Sequence, residues 1–280
     1  VTVSRPVLRW HGGKWKLAPW IIGHFPSHRF YFEPFGGAGS VLLRKPPALV
    51  EIYNDLDDRL VNFFRVLRDD DRRRALLRAL SLTPFAEAEY ITALEPCLDD
   101  PVEDARRLAV RQAFAHGTDS ARRASGFRIE VFSDFKRGPY EWRRYSRALA
   151  RTTNRLRNVC ISKRDWKALM RRASADTLIY LDPPYVPDTR CDGSRAYAHE
   201  LTAAAHDDLL SYVASAPGMI ILSGYPHDSY DAALPAWQRV EKATFADGAR
   251  PRTEVLWINP HCWQRLNAER AQLELLEGAA

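Results

Sequence analysis

Asp182-Pro183-Pro184-Tyr185 is the segment of this sequence whose residues could do chemistry on an amine. Two consecutive prolines stiffen the chain and remove two backbone donors. The Asp182 carboxylate and the Pro183 carbonyl then form a rigid pair of acceptors. An exocyclic amine on an aromatic ring donates hydrogen bonds, but its lone pair is delocalised into the ring. Acceptors above and below the ring plane draw that nitrogen towards a tetrahedral, nucleophilic geometry, and the flat face of Tyr185 can stack on the base. The preceding run 178–181 is apolar and reads as a buried strand. That places the acceptors at a strand's carboxyl end, where ligands of open α/β sheets bind.

Two other segments place functional groups in the same kind of position. Glu33-Pro34-Phe35-Gly36-Gly37-Ala38-Gly39-Ser40 follows the aromatic run Phe30-Tyr31-Phe32 and opens a helix. Glycines there allow a tight turn and a close approach of backbone to ligand. No Gly-Lys-Ser/Thr follows, so this is not a nucleotide-triphosphate loop, and the full dinucleotide fingerprint is absent. Asn54-Asp55 ends the next strand, Val50-Glu51-Ile52-Tyr53. An acid in that position often holds ribose hydroxyls, although an Asn-Asp pair by itself also makes a turn.

The elements that must position these groups fall into three parts. Residues 1–68 read as strand, turn, helix and strand, the opening of an α/β fold. Residues 69–157 read as a helical insert: Asp69-Asp70-Asp71 suits a helix start, Thr83-Pro84 suits another, and strand signals are few. From 158 to 280 strands return at 177–181, 219–222 and 254–258, with an amphipathic helix over 202–215 and a polar helix from about residue 264.

The formal charge of +6 is unevenly spread. Residues 103–172 hold 19 Lys+Arg against 7 Asp+Glu, and the rest of the chain is net acidic. A concentrated basic segment is an electrostatic footprint for a polyanion, above all nucleic acid. The alternative is a solvated arginine-rich helix face. Arg122 and Arg123, among Gly and Ser, suit a loop near base edges; Arg143, Arg144 and Arg147, after Pro139, suit one helical face towards phosphates.

Taken together, Trp10-His-Gly-Gly-Lys14, Glu33 to Gly39, Asn54-Asp55 and Asp182 to Tyr185 resemble the D12-class N6-adenine DNA methyltransferases, of the DNA adenine methylase type. The resemblance covers about residues 7–68 and 158–260. It continues in Leu222-Ser-Gly-Tyr225 and in Arg252-Thr-Glu-Val-Leu-Trp-Ile-Asn259, which look like phage and prophage members. It implies a class I S-adenosylmethionine-dependent methyltransferase fold, α/β with a mostly parallel sheet, whose target-recognition insert precedes the catalytic tetrapeptide. By position, Trp10 and Lys14 look like the cofactor-contacting N-terminal motif, with Lys14 reaching the cofactor's carboxylate. Gly36, Gly37 and Gly39, flanked by Glu33 and Phe35, look like the cofactor loop. Asp55 looks like the ribose ligand, and Asp165 like the acid facing the cofactor's adenine. Asp182, Pro183, Pro184 and Tyr185 look like the catalytic tetrapeptide. The implied reaction methylates N6 of an adenine flipped out of double-stranded DNA, with S-adenosylmethionine as methyl donor. The insert over residues 117–135 matches no base-reading loop, which leaves the target sequence open.

Other readings are narrower. N4-cytosine DNA methyltransferases and rRNA guanine-amine methyltransferases use a similar tetrapeptide; the Trp10–Lys14 motif and the long basic insert favour the adenine DNA class. A DNA-binding regulator without activity would not need an intact Asp182-Pro-Pro-Tyr185. Pro96-Cys97 lies in the helical insert, away from any core strand, and reads as incidental. His199, His206 and His227 have no metal-ligand spacing and the four cysteines form no CxxC pair, so no metal is expected. With no long apolar run and no signal-like N-terminus, membrane insertion and secretion are not expected. The expected location is the cytoplasm of a bacterial or phage-infected cell, at the nucleoid. A cognate restriction nuclease is an optional partner.

Overall fold

The computed structural model describes residues 3, 5–116, 126–129, 137–186, 199–245 and 251–278. Seven strands form one sheet: β1 (Phe30–Glu33), β2 (Val50–Asn54), β3 (Val159–Ser162), β4 (Thr177–Leu181), β5 (Met219–Gly224), β6 (Gln238–Phe245) and β7 (Pro251–Ile258). Their spatial order is β3-β2-β1-β4-β5-β7-β6. The first five are parallel, and β7 runs antiparallel between β5 and β6. β1 therefore has β2 on one side and β4 on the other. The chain crosses over between them, and the crevice beyond the carboxyl ends of β1 and β4 is the topological switch point of the sheet.

The strands alternate between two hydrophobic layers. Tyr31, Tyr53, Leu178, Tyr180, Ile221 and Leu256 face one; Phe32, Ile179, Leu181, Ile220, Leu222 and Trp257 face the other. The second layer is covered by α9 (Trp166–Met170), α10 (Ala203–Val213) and α11 (Asp228–Ala233). α10 covers the amphipathic stretch read from sequence, and Thr202 caps it by accepting from the Ala205 N–H at 3.2 Å.

The first layer receives α1 (Ala18–Ile22), α2 (Ser40–Arg44) and α3 (Asp58–Arg68), and also α4 (Asp70–Leu82), α5 (Glu87–Thr92), α6 (Pro101–Phe114), α7 (Arg137–Arg143) and α8 (Tyr145–Leu156). Leu76, Leu80, Leu108, Phe114, Trp142 and Leu149 from the insert share one buried cluster with Val41, Leu42, Phe63 and Phe64. Asp57, Asp69 and Asp100 cap α3, α4 and α6. Thr83, read as a helix start, instead caps the C-terminal end of α4, and α5 begins at Glu87. β3 and β6 have no counterpart in the sequence reading. Both are edge strands, where exposed polar residues interrupt the apolar signal. α12 (Pro260–Gly278) closes the described chain. No helix among the described residues is long and apolar enough to cross a membrane.

Candidate active site

The site is built at the carboxyl ends of β1, β2, β3 and β4. After β1 the chain turns through Gly36 into α2. The Gly36 N–H donates to the Asn54 carbonyl (2.8 Å), locking the loop to the end of β2. A Cβ on Gly36 would lie 2.2 Å from the Tyr53 ring, so only glycine fits. Gly39 caps α2 with φ +63°, a left-handed conformation that favours glycine.

Asn54 ties three loops together. Its Nδ2 donates to the Pro34 and Arg164 carbonyls, each at 2.9 Å, and its Oδ1 accepts from the Arg164 N–H at 2.8 Å. The glycine loop and the loop after β3 are thereby held at a fixed distance. Sequence reading noted Asn54 as part of a turn pair and of the family resemblance, with no role of its own; a buried amide with all its groups paired is recognised only from its partners. Asp55 accepts from the Gly37 N–H (2.8 Å) and the Asp57 N–H (2.9 Å). Burial pushes its carboxyl up to about 6, against the pull of those amides.

A cavity of about 330 Å³ lies over these loops. Trp10, Lys14, Glu33, Phe35, Gly36, Gly37, Asp55, Asp165, Asp182 and Pro184 all line it. Gly39, Pro183 and Tyr185 stand behind the lining. Asp165 also caps α9, accepting from the Lys167 N–H at 2.9 Å. The indole of Trp10 approaches Gly37, 3.4 Å from where a Cβ would sit. Glu33 is fully enclosed; its Oε2 accepts from the Tyr31 hydroxyl (2.6 Å) and the Leu42 N–H (3.0 Å). Burial raises its carboxyl to about 8, so it is protonated at neutral pH and ties β1 to α2 as a neutral group.

Two of the positions read from sequence have unexpected surroundings. The motif reading puts Lys14 at a cofactor carboxylate. In the structure its ammonium lies 2.8 Å from Asp182 Oδ1 and 3.3 Å from Glu254 Oε1, and it donates to the Tyr185 hydroxyl. Tyr185 is itself buried; its hydroxyl donates to Glu254 and its ring packs on Tyr225 with centroids 4.3 Å apart. The same ammonium lies over the Tyr185 ring, 4.6 Å from its centroid. Asp182 Oδ1 also accepts from Ser223 Oγ at 3.0 Å, and Ser223 Oγ lies 2.9 Å from the Tyr180 hydroxyl. Among the described residues both partners of Asp182 use Oδ1, and Asp182 lines the cavity. Ser223, Tyr225 and Glu254 lie in the two C-terminal segments that carry the family resemblance. Their polar and aromatic residue types inside apolar strands were the available signal.

The basic residues divide. Arg143, Arg144 and Arg147 are exposed. They do not form one helical face: α7 ends at Arg143 and α8 begins at Tyr145, joined by an i→i+3 bond from the Arg144 N–H to the Glu141 carbonyl (3.2 Å). Arg144 bonds the Tyr140 hydroxyl at 2.6 Å, and both Arg143 and Arg144 approach that ring. Arg106, by contrast, is buried against Glu103 and Glu89 (2.6 and 2.8 Å), and Arg155 reaches Glu51 and the Leu42 carbonyl (2.8 and 2.7 Å). Part of the charge counted as a footprint is thus internal. Arg122 and Arg123 lie outside the described residues.

The family model for D12 class N6 adenine-specific DNA methyltransferases matches residues 10–216. A DNA adenine methylase of Serratia marcescens is 28% identical over 217 residues, covering 75% of this chain and 78% of the relative. A type II methyltransferase of Lactococcus lactis subsp. cremoris is 22% identical over 204 residues, 70% of this chain and 71% of the relative. The DNA N-6-adenine-methyltransferase of Escherichia phage P1 is 24% identical over 272 residues, 91% of this chain but 35% of that longer protein. With its strand order and the tetrapeptide at the switch point, the chain belongs to the D12 class of N6 adenine-specific DNA methyltransferases, enzymes that methylate the N6 amine of adenine in DNA.

Proposed function

We propose that this enzyme takes its methyl group from S-adenosylmethionine and delivers it to an adenine flipped out of double-stranded DNA. The observation that carries the reading is the state of Asp182. Its Oδ1 is held by Lys14 and Ser223 at the end of β4, and Oδ2 remains for the substrate amine.

The lining of the cavity suits that cofactor. Asp55 and Asp165 offer acceptors to ribose hydroxyls and to an adenine amine, and Trp10 and Phe35 offer flat apolar faces. When bound, S-adenosylmethionine supplies a methyl group already activated on a sulfonium. The remaining work is done by side chains of the chain itself. Asp182 Oδ2 and the Pro183 carbonyl accept from the N6 hydrogens and turn the lone pair towards the cofactor side. The Tyr185 ring, held at its hydroxyl by Lys14 and Glu254, supports the base by its face. Catalysis by such a site is chiefly positioning and pre-set electrostatics. Arg143, Arg144 and Arg147 supply sequence-independent attraction to phosphates, and the segment containing Arg122 and Arg123 reads bases. The reaction takes place in the cytoplasm, at the nucleoid; a companion nuclease is not required for it.

The test is a methyl-transfer assay with nucleoside analysis of the product. N6-methyladenine formed by the wild type, and formed more slowly by about 10²–10³-fold in Asp182→Ala, is the expected result. Methyl transfer unchanged in that variant overturns the reading, and modification mapping of genomic DNA from expressing cells gives the target sequence.

A further inference from the structure

We infer that Glu254 is a positioning residue for methyl transfer: from strand β7 it holds Lys14 and the Tyr185 hydroxyl, and through them it sets the acceptor strength of Asp182. The inference rests on the role given to Asp182 above.

Glu254 is 2% exposed, in the antiparallel strand that ends the core side of the sheet. A carboxylate in such a place is costly, and an apolar side chain of similar volume would satisfy packing alone. Its contacts lead to the tetrapeptide. Oε1 lies 3.3 Å from the Lys14 ammonium, and the Tyr185 hydroxyl donates to its oxygens at 3.3 and 3.4 Å. The strand itself is pinned. Asn259, just past the end of β7, accepts from the Ile220 N–H and donates to the Gly218 carbonyl, both at 3.0 Å, fixing β7 against β5.

One buried ammonium thus serves two carboxylates, Asp182 and Glu254. While Glu254 is ionised it shares the pull of the Lys14 ammonium, and Asp182 is left the stronger acceptor for N6. Without that charge on Glu254, the ammonium acts more strongly on Asp182 and weakens it as an acceptor. Among the described residues, the groups facing Glu254 are Lys14 from the N-terminal loop, Tyr180 from β4, Asp182 and Tyr185 beyond β4, and Tyr225 beyond β5. Burial raises its carboxyl to about 7, Lys14 opposes this, and Asp182 reinforces it. The charge-sharing state is therefore populated above neutrality and is lost as pH falls.

Glu254→Gln in the full chain tests this. The expected result is a fall in kcat of about tenfold or more, with KM for duplex DNA and Kd for the cofactor within about twofold of wild type. The acid limb of kcat near neutral pH should flatten in the same variant. Glu254→Asp keeps the charge and should restore part of kcat together with a displaced acid limb. If Glu254→Gln does not fold, as judged by lost cofactor binding, the Glu254→Asp profile decides: an acid limb identical to wild type overturns the inference. So does a Glu254→Gln enzyme with wild-type kcat. Wild-type kcat in Glu254→Gln beside a slowed Asp182→Ala defeats this inference alone; wild-type kcat in both defeats the reading beneath it.

Discussion

The carboxylates around the cavity and the arginines of α6 to α8 are the two charged regions of the molecule, and they sit in opposite dielectric surroundings. Glu33 and Glu254 are each 2% exposed, and Asp55 and Asp182 are held by two partners apiece. In that setting each interaction is strong, and burial raises Glu33, Asp55 and Glu254 above the ordinary carboxylate range. Arg143, Arg144 and Arg147 face water, where single charges interact weakly and salt screens them. A site that does chemistry can rest on one atom; a surface that gathers a polyanion needs many. Arg155 shows that residue type does not decide between these regimes. It belongs to the same basic stretch, yet it is 6% exposed and paired with Glu51.

The sharpest test of the contrast is Asp182→Ala. Losing the acceptor aimed at the reacting nitrogen should lower kcat by about 10²–10³-fold. The melting curve should remain close to wild type, and a stopped-time methylation assay measures the rate. A loss of less than tenfold would mean that the buried region does not concentrate its effect in one group.

Glu33 tests the same region through stability. In the unfolded chain its carboxyl ionises near 4.5, whereas in the fold it stays protonated to about 8. Its folded value is raised, so wild type loses stability as pH rises across that window. Glu33→Gln removes the loss and should gain on wild type by roughly 4 kcal/mol between pH 4.5 and 8. Urea titrations at several pH values would show it.

Arg155→Ala should destabilise the fold by roughly 2–3 kcal/mol, since it leaves Glu51 with Lys45 and the Ala48 N–H and takes the guanidinium from the Leu42 carbonyl. Glu51 is held below the usual carboxylate range by Arg155 and Lys45, so this contribution is present above about pH 4.5 and fades as acid protonates it. Equal melting of Arg155→Ala and wild type at pH 7 would dissolve the distinction between inner and outer arginines.

Asp55→Asn should weaken cofactor binding about tenfold and leave DNA affinity unchanged, by calorimetry and anisotropy. Because burial raises Asp55 to about 6, wild-type cofactor affinity should fall as pH drops through that value, and the variant should not follow it. The smallest effect per residue belongs to the outer surface. Neutralising Arg143, Arg144 and Arg147 together should weaken binding to matched and scrambled duplexes alike. The log–log salt slope should fall by about 0.9 for each phosphate that is no longer neutralised, with stability unchanged.

Much of this molecule is legible in its sequence, because the signals are local. The apolar runs before Asp182 and after residue 218 mark buried strands through their composition. Gly39 marks a left-handed helix start because φ +63° excludes most other residues. Asp69 and Thr202 mark helix starts through side chains that reach amides two or three residues away. The tetrapeptide carries its chemistry in four adjacent positions. The tertiary structure alone decides which distant charges meet. Lys14 and Tyr185 are 171 residues apart, and Glu254 reaches both only because β7 folds back antiparallel beside β5. It also decides that Arg155 is internal while Arg147, eight residues earlier in the chain, faces water. Periodicity and backbone sterics act over a few residues and are written in order along the chain. Burial and ion pairing depend on closure of the whole sheet, and no short window of sequence contains them.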